Sequence, residues 1–155
     1  MGAYILALIE NVLFKGISRP TNVRVDGEIL NGHTSIICIC NGRYYGGGFM
    51  PVGDAMPDDG ILDILYVPKV SLFTFARLVG KYAKGRYREF PNLIRHFHCK
   101  EIEFDSQQEI VTVVDGEVMR GNSFRAALSE KKINFFYPAY VNYKDVPAET
   151  CAQSL

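Results

Sequence analysis

An eight-residue pattern that occurs twice constrains the fold of this chain more than any other feature. Residues 25–32 read VDGEILNG, and residues 114–121 read VDGEVMRG, 89 positions later. β-Branched residues precede each copy and a strand-like run follows it. An Asp-Gly pair between two such runs is typical of a two-residue hairpin turn. The sequence therefore predicts two β-hairpins. Because a turn needs Asp-Gly but not the following glutamate, Glu28 and Glu117 are candidates for a further role.

The overall composition favours a soluble globular domain and excludes several classes of protein. A chain of 155 residues is long enough to bury a core and is expected to form one domain. Its 17 basic and 17 acidic residues cancel, so no overall field favours nucleic acid, and we expect no nucleic-acid partner. The longest apolar run falls short of the roughly 20 residues that a membrane span needs. No secretion signal is recognisable. The sequence therefore predicts a cytoplasmic protein whose membrane contact, if any, is peripheral.

Periodicity divides the chain into short elements. Helical spacing of apolar residues covers 3–15 and 71–82, and Ser71 is placed to cap the second helix, whose apolar stripe is predicted from Leu72, Phe75, Ala76 and Val79. Alternating or continuous apolar runs predict strands, ending at Pro138, and residues 139–155 form a polar tail. The predicted strands after residue 30 are 34–40, 62–67, 99–104, 110–114, 123–129 and 132–137. About eight short strands with two helices predict a mostly-β sandwich.

The cysteines and histidines do not suggest a disulfide or zinc framework. Cys38 and Cys40 lie two positions apart on a predicted strand, and free thiols in a reducing compartment are expected for all four cysteines, the others being Cys99 and Cys151. The run His96–Cys99 offers three close ligands, but no fourth partner lies at zinc spacing. The sequence therefore favours a strand edge over a metal site at these histidines.

Two acidic patterns could carry chemistry. Residues 55–63 read AMPDDGILD, and adjacent acids before a glycine can contribute a carboxylate to an oxygen shell of the kind that Mg²⁺ prefers. Asp115 and Glu117 form a pair of carboxylates that could act as a base and its orienting or metal-binding companion. In both cases the residues alone leave open a plain turn with solvated acids, and the same holds for Asp26 and Glu28.

One local stretch is basic although the whole chain is neutral. Seven Lys or Arg residues and a single acid, Glu89, lie between positions 77 and 100. Aromatic residues are interleaved with them over 81–100, so this stretch could meet anionic lipid headgroups, with a solvated surface as the alternative. The glycines of 41–48 could let backbone amides approach a phosphate, but the Gly-Lys-Ser/Thr end of a Walker loop is missing.

The order of these motifs is more specific than any one of them. The chain carries VDGE, then NGRYYGGGF, then DDGILD, then a helix and a basic stretch, and then VDGE again. This order resembles the C-terminal domain of the soluble bacterial diacylglycerol kinase and YegS-like lipid kinase family. Sphingosine and ceramide kinases are relatives of that family. The resemblance covers about residues 3–138. It implies a two-sheet β-sandwich that follows an N-terminal ATP-binding domain. That domain's Gly-Gly-Asp-Gly-Thr motif does not occur here, so the chain is expected to be the C-terminal part of a two-domain enzyme.

The resemblance also implies roles for particular residues. The second VDGE matches the family's catalytic copy, which makes Glu117 the general base for a lipid hydroxyl and Asp115 its companion. The first copy matches a structural hairpin. The Asp-Asp-Gly loop matches a Mg²⁺ site at which Asp59 supplies the carboxylate and Met56 and Ile61 supply backbone oxygens. Residues 53–55 depart from the family's usual run of small residues.

The expected function is therefore the substrate side of an ATP-dependent lipid kinase. The expected reaction converts diacylglycerol to phosphatidic acid with Mg²⁺. The isolated chain is expected to be inactive. The sequence leaves open whether the protein forms a homodimer. A kinase of another alcohol, either a sphingoid lipid or an NAD-kinase-like substrate, is one alternative. A non-catalytic β-sandwich binding module is the other.

Overall fold

The computed structural model describes residues 18–46, 48–134 and 136. Within these residues the chain forms one six-stranded antiparallel sheet and one α-helix. The strand order is β4-β3-β2-β1-β5-β6, so every strand pairs with neighbours that run in the opposite direction. The elements are β1 (Arg19–Val25), β2 (Glu28–Cys40), β3 (Leu62–Pro68), α1 (Leu72–Tyr82), a 3₁₀ turn (Tyr87–Glu89), β4 (Arg95–Cys99), β5 (Glu101–Val114) and β6 (Glu117–Ala127).

Both predicted hairpins are present, and their turns have the same backbone. Asp26 and Gly27 have φ values of 44° and 88°, and Asp115 and Gly116 have values of 49° and 95°. Two successive positive φ values define the type I′ turn, whose twist matches that of the strands it joins. In each hairpin the residue before Asp pairs with the glutamate after Gly, so Val25 lies opposite Glu28 and the two hairpins share one register at their tips.

The core lies on both faces of β3. All of its residues except Pro68 are buried, because α1 and the preceding loop cover one face and the curled sheet covers the other. The helix-side cluster includes Leu65, Phe75 and Tyr82, whereas Ile64 and Ile102 lie in the cluster on the opposite face. A strand covered on both faces requires a nearly continuous apolar run, which is what 62–67 provides apart from Asp63.

The helix α1 begins as predicted but buries a different stripe. Ser71 Oγ accepts a hydrogen bond of 3.1 Å from the backbone N–H of Thr74, which confirms the cap. Phe75, Leu78 and Tyr82 are the buried residues of the helix, whereas Leu72 is 46% exposed. The predicted stripe was therefore wrong at its first residue, and Ala76 is exposed as well, because the sheet contacts the face of α1 that carries Leu78 and Tyr82.

The mostly-β prediction is confirmed, with differences in the number and bounds of the elements. The described residues show one curled sheet, and the division into two sheets stays a prediction. The strand predicted at 110–114 is the end of the long strand β5, and the one predicted at 123–129 begins earlier, in β6. The strand predicted at 132–137 is wrong where the structure describes it, since 132–134 and 136 have no regular structure. The helix predicted at 3–15 and the tail at 139–155 lie outside the described residues.

The first hairpin turn is fastened to the neighbouring strand connection. One carboxylate oxygen of Asp26 accepts hydrogen bonds from the backbone N–H groups of Lys100 and Glu101, both at 3.1 Å, and the other oxygen lies 3.2 Å from the Lys100 nitrogen. The backbone N–H of Asp26 in turn donates to the carbonyl of Glu101 at 3.2 Å. These bonds hold the β1–β2 turn against the β4–β5 connection.

Because these bonds fasten the first hairpin turn, the same substitution is expected to affect stability unequally in the two turns. Asp26→Ala and Asp115→Ala replace an aspartate at the same position of the same turn type, so the backbone cost is matched. We expect Asp26→Ala to lower the free energy of unfolding by about 1–3 kcal/mol more than Asp115→Ala, because among the described residues the Asp26 carboxylate accepts backbone hydrogen bonds and the Asp115 carboxylate accepts none. Urea unfolding of both variants measures the difference, and equal losses would contradict the tethering role of Asp26.

Candidate functional site

The second hairpin projects beyond the sheet. β5 pairs with β1 only through Ile102–Asp105, after which its register with β6 shifts between Asp105 and Ile110. From Ile110 to Gly121 the two strands pair only with each other within the described part of the chain. We call residues 110–121 the hairpin tip. Five of its apolar side chains are 49% to 60% exposed, at Val111, Val113, Val114, Val118 and Met119, whereas Ile110 packs against the core.

Asp115 and Glu117 lie at the end of the hairpin tip. Glu117 is directly opposite Val114, and Thr112 with Met119 forms the next pair in register on the same face. Both acidic residues are exposed. Neither carboxylate has a hydrogen bond or an ion pair among the residues that the structure describes. The hairpin tip therefore presents two carboxylates and an apolar surface to whatever approaches it.

The first copy of the motif has the opposite character. Glu28 forms an ion pair of 2.7 Å with Arg95 of β4, and the carboxylate of Asp26 is occupied by backbone N–H groups. This copy lies within the sheet, where β1 and β5 continue the pairing on one side. The two motifs are alike in sequence but differ in their contacts. The acidic side chains of the first copy bind other parts of the sheet, whereas those of the second copy have no partner among the described residues.

The Asp-Asp-Gly loop immediately precedes β3. Asp59 Oδ1 accepts a hydrogen bond of 3.0 Å from the backbone N–H of Ile61, which leaves its second oxygen without a partner among the described residues. Gly60, at φ 78°, allows the chain to turn between the two. The side chain of Met56 lies against Arg43, with 3.3 Å between its sulfur and the guanidinium. The loop therefore brings an exposed carboxylate to the start of β3.

The basic stretch is less positive than its sequence indicates. Lys81 and Arg86 both form ion pairs with Glu89, and Arg88 pairs with Asp54 at 2.8 Å. Although partial burial opposes it, the hydrogen bond from Arg88 holds the pKa of Asp54 below its usual value. Such exposed pairs are weak, so an anionic surface could compete for the same cations. No helix among the described residues is long and apolar enough to cross a membrane.

The histidines lie on an edge strand, as predicted, but they meet a carboxylate that the sequence did not indicate. His96 and His98 of β4 both contact Asp63 Oδ1, at 2.7 and 3.1 Å. Cys99, the third potential ligand of the run His96–Cys99, belongs to the core cluster on the other face of the sheet. The alternating directions of side chains on a strand could have excluded Cys99, but only the pairing of β3 with β4 reveals Asp63.

The described cysteines are free thiols, as predicted. Cys38 and Cys40 have sulfur atoms 3.5 Å apart and are not bonded. The hydrogen bond with Cys38 and burial together raise the pKa of the Cys40 thiol. Burial and the nearby Asp26 carboxylate raise the pKa of Cys99 to about 11. Because Cys40 and Cys99 are held in the protonated form, neither is suited to act as a nucleophile. Cys151 lies outside the described residues.

Comparison with known proteins establishes the family. Residues 3–135 match the YegS C-terminal NAD kinase beta sandwich-like domain, and the chain belongs to that family. A candidate lipid kinase from Staphylococcus haemolyticus is 31% identical over 94 residues, which are 61% of this chain and 30% of the relative. A YegS-like candidate lipid kinase from Shewanella frigidimarina is 27% identical over 138 residues, or 88% of this chain and 43% of the relative.

A solved structure agrees with this assignment. A candidate diacylglycerol kinase from Bacillus anthracis superposes with a TM-score of 0.59 at 26% identity, covering 72% of this chain and 38% of that protein. The chain spans less than half the length of the curated relatives cited here. The resemblance to the lipid kinase family that the order of motifs indicated is thus confirmed.

Proposed function

We propose that this chain is the substrate-side domain of an ATP-dependent lipid kinase that phosphorylates the hydroxyl of diacylglycerol to give phosphatidic acid. Membership of the family and similarity to candidate lipid and diacylglycerol kinases support the class of reaction. The observation that carries the proposal for this chain is the hairpin tip, whose two carboxylates are exposed and have no partner among the described residues. ATP is proposed to bind mainly to the rest of the longer protein.

Glu117 is proposed as the general base. A neutral hydroxyl is a poor nucleophile, and a carboxylate within hydrogen-bond reach can accept its proton as the phosphoryl group transfers. Glu117 carries no ion pair among the described residues that would have to break first, whereas Glu28 is held by Arg95 at 2.7 Å. Asp115, two positions away across the type I′ turn, is proposed to orient Glu117 or the ligand. The exposed apolar residues beside them suit a substrate with acyl chains.

The Asp-Asp-Gly loop is proposed to hold Mg²⁺. The chemistry of the donors fits, because a carboxylate oxygen of Asp59 with the carbonyl oxygens of Met56 and Ile61 forms the all-oxygen set that Mg²⁺ prefers, with water completing the shell. The bond from Ile61 N–H to Asp59 fixes one oxygen and thereby orients the other. Bound there, Mg²⁺ would supply positive charge next to the start of β3.

The choice between the two motif copies can be tested in the two-domain parent protein. We expect Glu117→Gln to lower lipid-dependent ATP turnover on diacylglycerol by about 10²- to 10⁴-fold, the usual contribution of a general base. Glu28→Gln is the matched control, since it makes the same change at the same position of the other hairpin turn and is expected to keep turnover near wild type. This chain alone is expected to show no turnover.

Three results would contradict the proposal. If wild-type parent protein is inactive on diacylglycerol but active on another alcohol, the substrate is wrong and the kinase class stands. If the two variants behave alike, the assignment of Glu117 is wrong. If wild type is inactive on every alcohol tested, the non-catalytic binding module replaces the kinase.

The magnesium loop can be tested on the present chain. Asp59→Asn keeps the acceptor for Ile61 N–H but removes the charge, and Asp58→Asn makes the same change one residue earlier. We expect Mg²⁺ to raise the thermal midpoint of wild type and of Asp58→Asn but not of Asp59→Asn, because a ligand that binds only the folded state stabilises it by mass action. Equal Mg²⁺ responses in the two variants would contradict the role of Asp59.

A peripheral contact between residues 81–100 and an anionic membrane is also proposed. We expect the chain to bind vesicles that contain anionic lipid and to be released as salt rises, because exposed charges are screened within about 8 Å at physiological ionic strength. Co-sedimentation with neutral vesicles is the control. Salt-independent binding, or none, would contradict a membrane role for this stretch, and a soluble substrate would then be favoured.

A further inference from the structure

Asp63, His96 and His98 form a compact cluster on one face of the sheet edge, which we call the edge cluster. β3 and β4 pair so that Asp63 lies opposite His98, while His96 lies opposite Leu65, one step along the same face. Asp63 Oδ1 lies 2.7 Å from Nε2 of His96 and 3.1 Å from Nε2 of His98. One potential ligand atom from each residue lies within 4.8 Å of the others.

The spacing of the edge cluster suits a four-coordinate metal ion. Bonds of about 2.0–2.2 Å in a tetrahedron place the ligand atoms about 3.3 Å apart. The two distances from Asp63 Oδ1 are slightly shorter than this, so small side-chain rotations would open room for an ion. Two imidazoles and one carboxylate are a recurrent ligand set for zinc and related transition metals.

Exposure is graded across the edge cluster. The side chains of Asp63, His96 and His98 are 6%, 18% and 60% exposed. The carboxylate therefore lies at the closed end and His98 at the solvent side, which gives an ion both an entry path and room for a water molecule as fourth ligand. Asp63 also needs partners, because a buried carboxylate with its hydrogen bonds unmade would be costly.

Tyr87 orients His96, the less exposed of the two histidines, through its second ring nitrogen. Its hydroxyl lies 2.9 Å from Nδ1 of His96, and its side chain is buried. Metal-binding histidines are usually oriented through their second nitrogen in this way. Without metal, His96 Nε2–H can donate to Asp63 while Tyr87 O–H donates to Nδ1. If a metal ion replaces the proton on Nε2, the imidazole proton can move to Nδ1 and be donated to the phenol oxygen, so the contact between Tyr87 and His96 is kept.

The charges near the edge cluster do not exclude a cation. The guanidinium of Arg88 lies over the ring of Tyr87 and is paired with Asp54 at 2.8 Å. Arg95 alternates to the other face of β4 and is paired with Glu28. On the cluster's own face, Cys40 of β2 pairs with Asp63 in register and carries no positive charge.

We propose that Asp63, His96 and His98 bind a divalent transition metal ion of the zinc type, with water as the fourth ligand. The ion would link the edge strand β4 to the buried strand β3. This site differs in chemistry from the proposed magnesium loop, because two nitrogen ligands favour zinc, copper, nickel or cobalt over Mg²⁺. It does not depend on the proposed kinase activity.

The site can be tested with Co²⁺ and Zn²⁺ on the whole chain. We expect wild type to bind one equivalent of Co²⁺ with a visible spectrum of four-coordinate cobalt, to exchange it for Zn²⁺, and to retain it in excess Mg²⁺. His98→Gln is expected to weaken binding about 100-fold or more, since even orienting partners contribute 10- to 100-fold. His98 is largely exposed, so this variant should fold. His33→Gln, at an exposed histidine of β2, is the matched control and should bind as wild type does.

Tyr87→Phe gives a second, independent measurement. It keeps the buried ring and removes only the hydroxyl, and we expect it to weaken Zn²⁺ binding about 10- to 100-fold. The proposal is overturned if wild type binds no Co²⁺ or Zn²⁺, or if His98→Gln binds as tightly as His33→Gln. It is also overturned if bound Co²⁺ shows a thiolate charge-transfer band in the near ultraviolet, which would assign the ion to Cys38 and Cys40.

Discussion

The burial of β3 on both faces is the constraint on which the rest of the described structure depends. A strand with two apolar faces is stable only if two layers cover it, and here α1 with the loop before β3 covers one face while the curled sheet covers the other. The same burial brings a carboxylate, Asp63, into the core, where it must be paired. Two histidines of β4 contact the Asp63 carboxylate. The edge strand therefore supplies the polar partners that a buried carboxylate needs.

The two copies of the VDGE motif show how the same local sequence acquires different properties from its surroundings. Both copies form type I′ turns with the same register, because Asp-Gly can adopt two successive positive φ values and the flanking residues favour strands. The first turn meets the β4–β5 connection and is fastened by Asp26. The second extends beyond the end of β1's pairing and meets no described element, so Asp115 and Glu117 remain available. The two copies therefore differ in their contacts because they occupy different positions in the sheet, and the motif itself does not encode that position.

Much of the fold could be predicted because it depends on local patterns. The hairpin turns, the cap at Ser71 and the buried run of β3 each follow from residues that are close in sequence. The buried stripe of α1 was placed wrongly at Leu72 because the contacting face of a helix is decided by the sheet, which lies far away in sequence. The strand predicted at 132–137 is absent where it is described: residues 132–134 and 136 pair with neither edge strand of the described sheet, since an apolar run alone does not determine strand pairing. Asp63 could not be joined to His96 and His98 from spacing, because Asp63 precedes His96 by 33 positions and a helix lies between them.

The proposed magnesium loop and the edge cluster lie at the start of the same strand but make different demands on it. Asp59 precedes β3 and is exposed, so a hard cation there can keep several waters, as Mg²⁺ requires. Asp63 is four residues further on and almost fully buried, so an ion there must lose most of its water and be compensated by firm nitrogen ligands. A Mg²⁺ ion, which dehydrates reluctantly, is therefore unsuited to the edge cluster. The loop offers only oxygen ligands, so it does not favour a zinc-type ion over Mg²⁺ in the way that the two nitrogen ligands of the edge cluster do. The two proposed sites differ in chemistry although only Gly60, Ile61 and the first residue of β3, Leu62, separate Asp59 from Asp63.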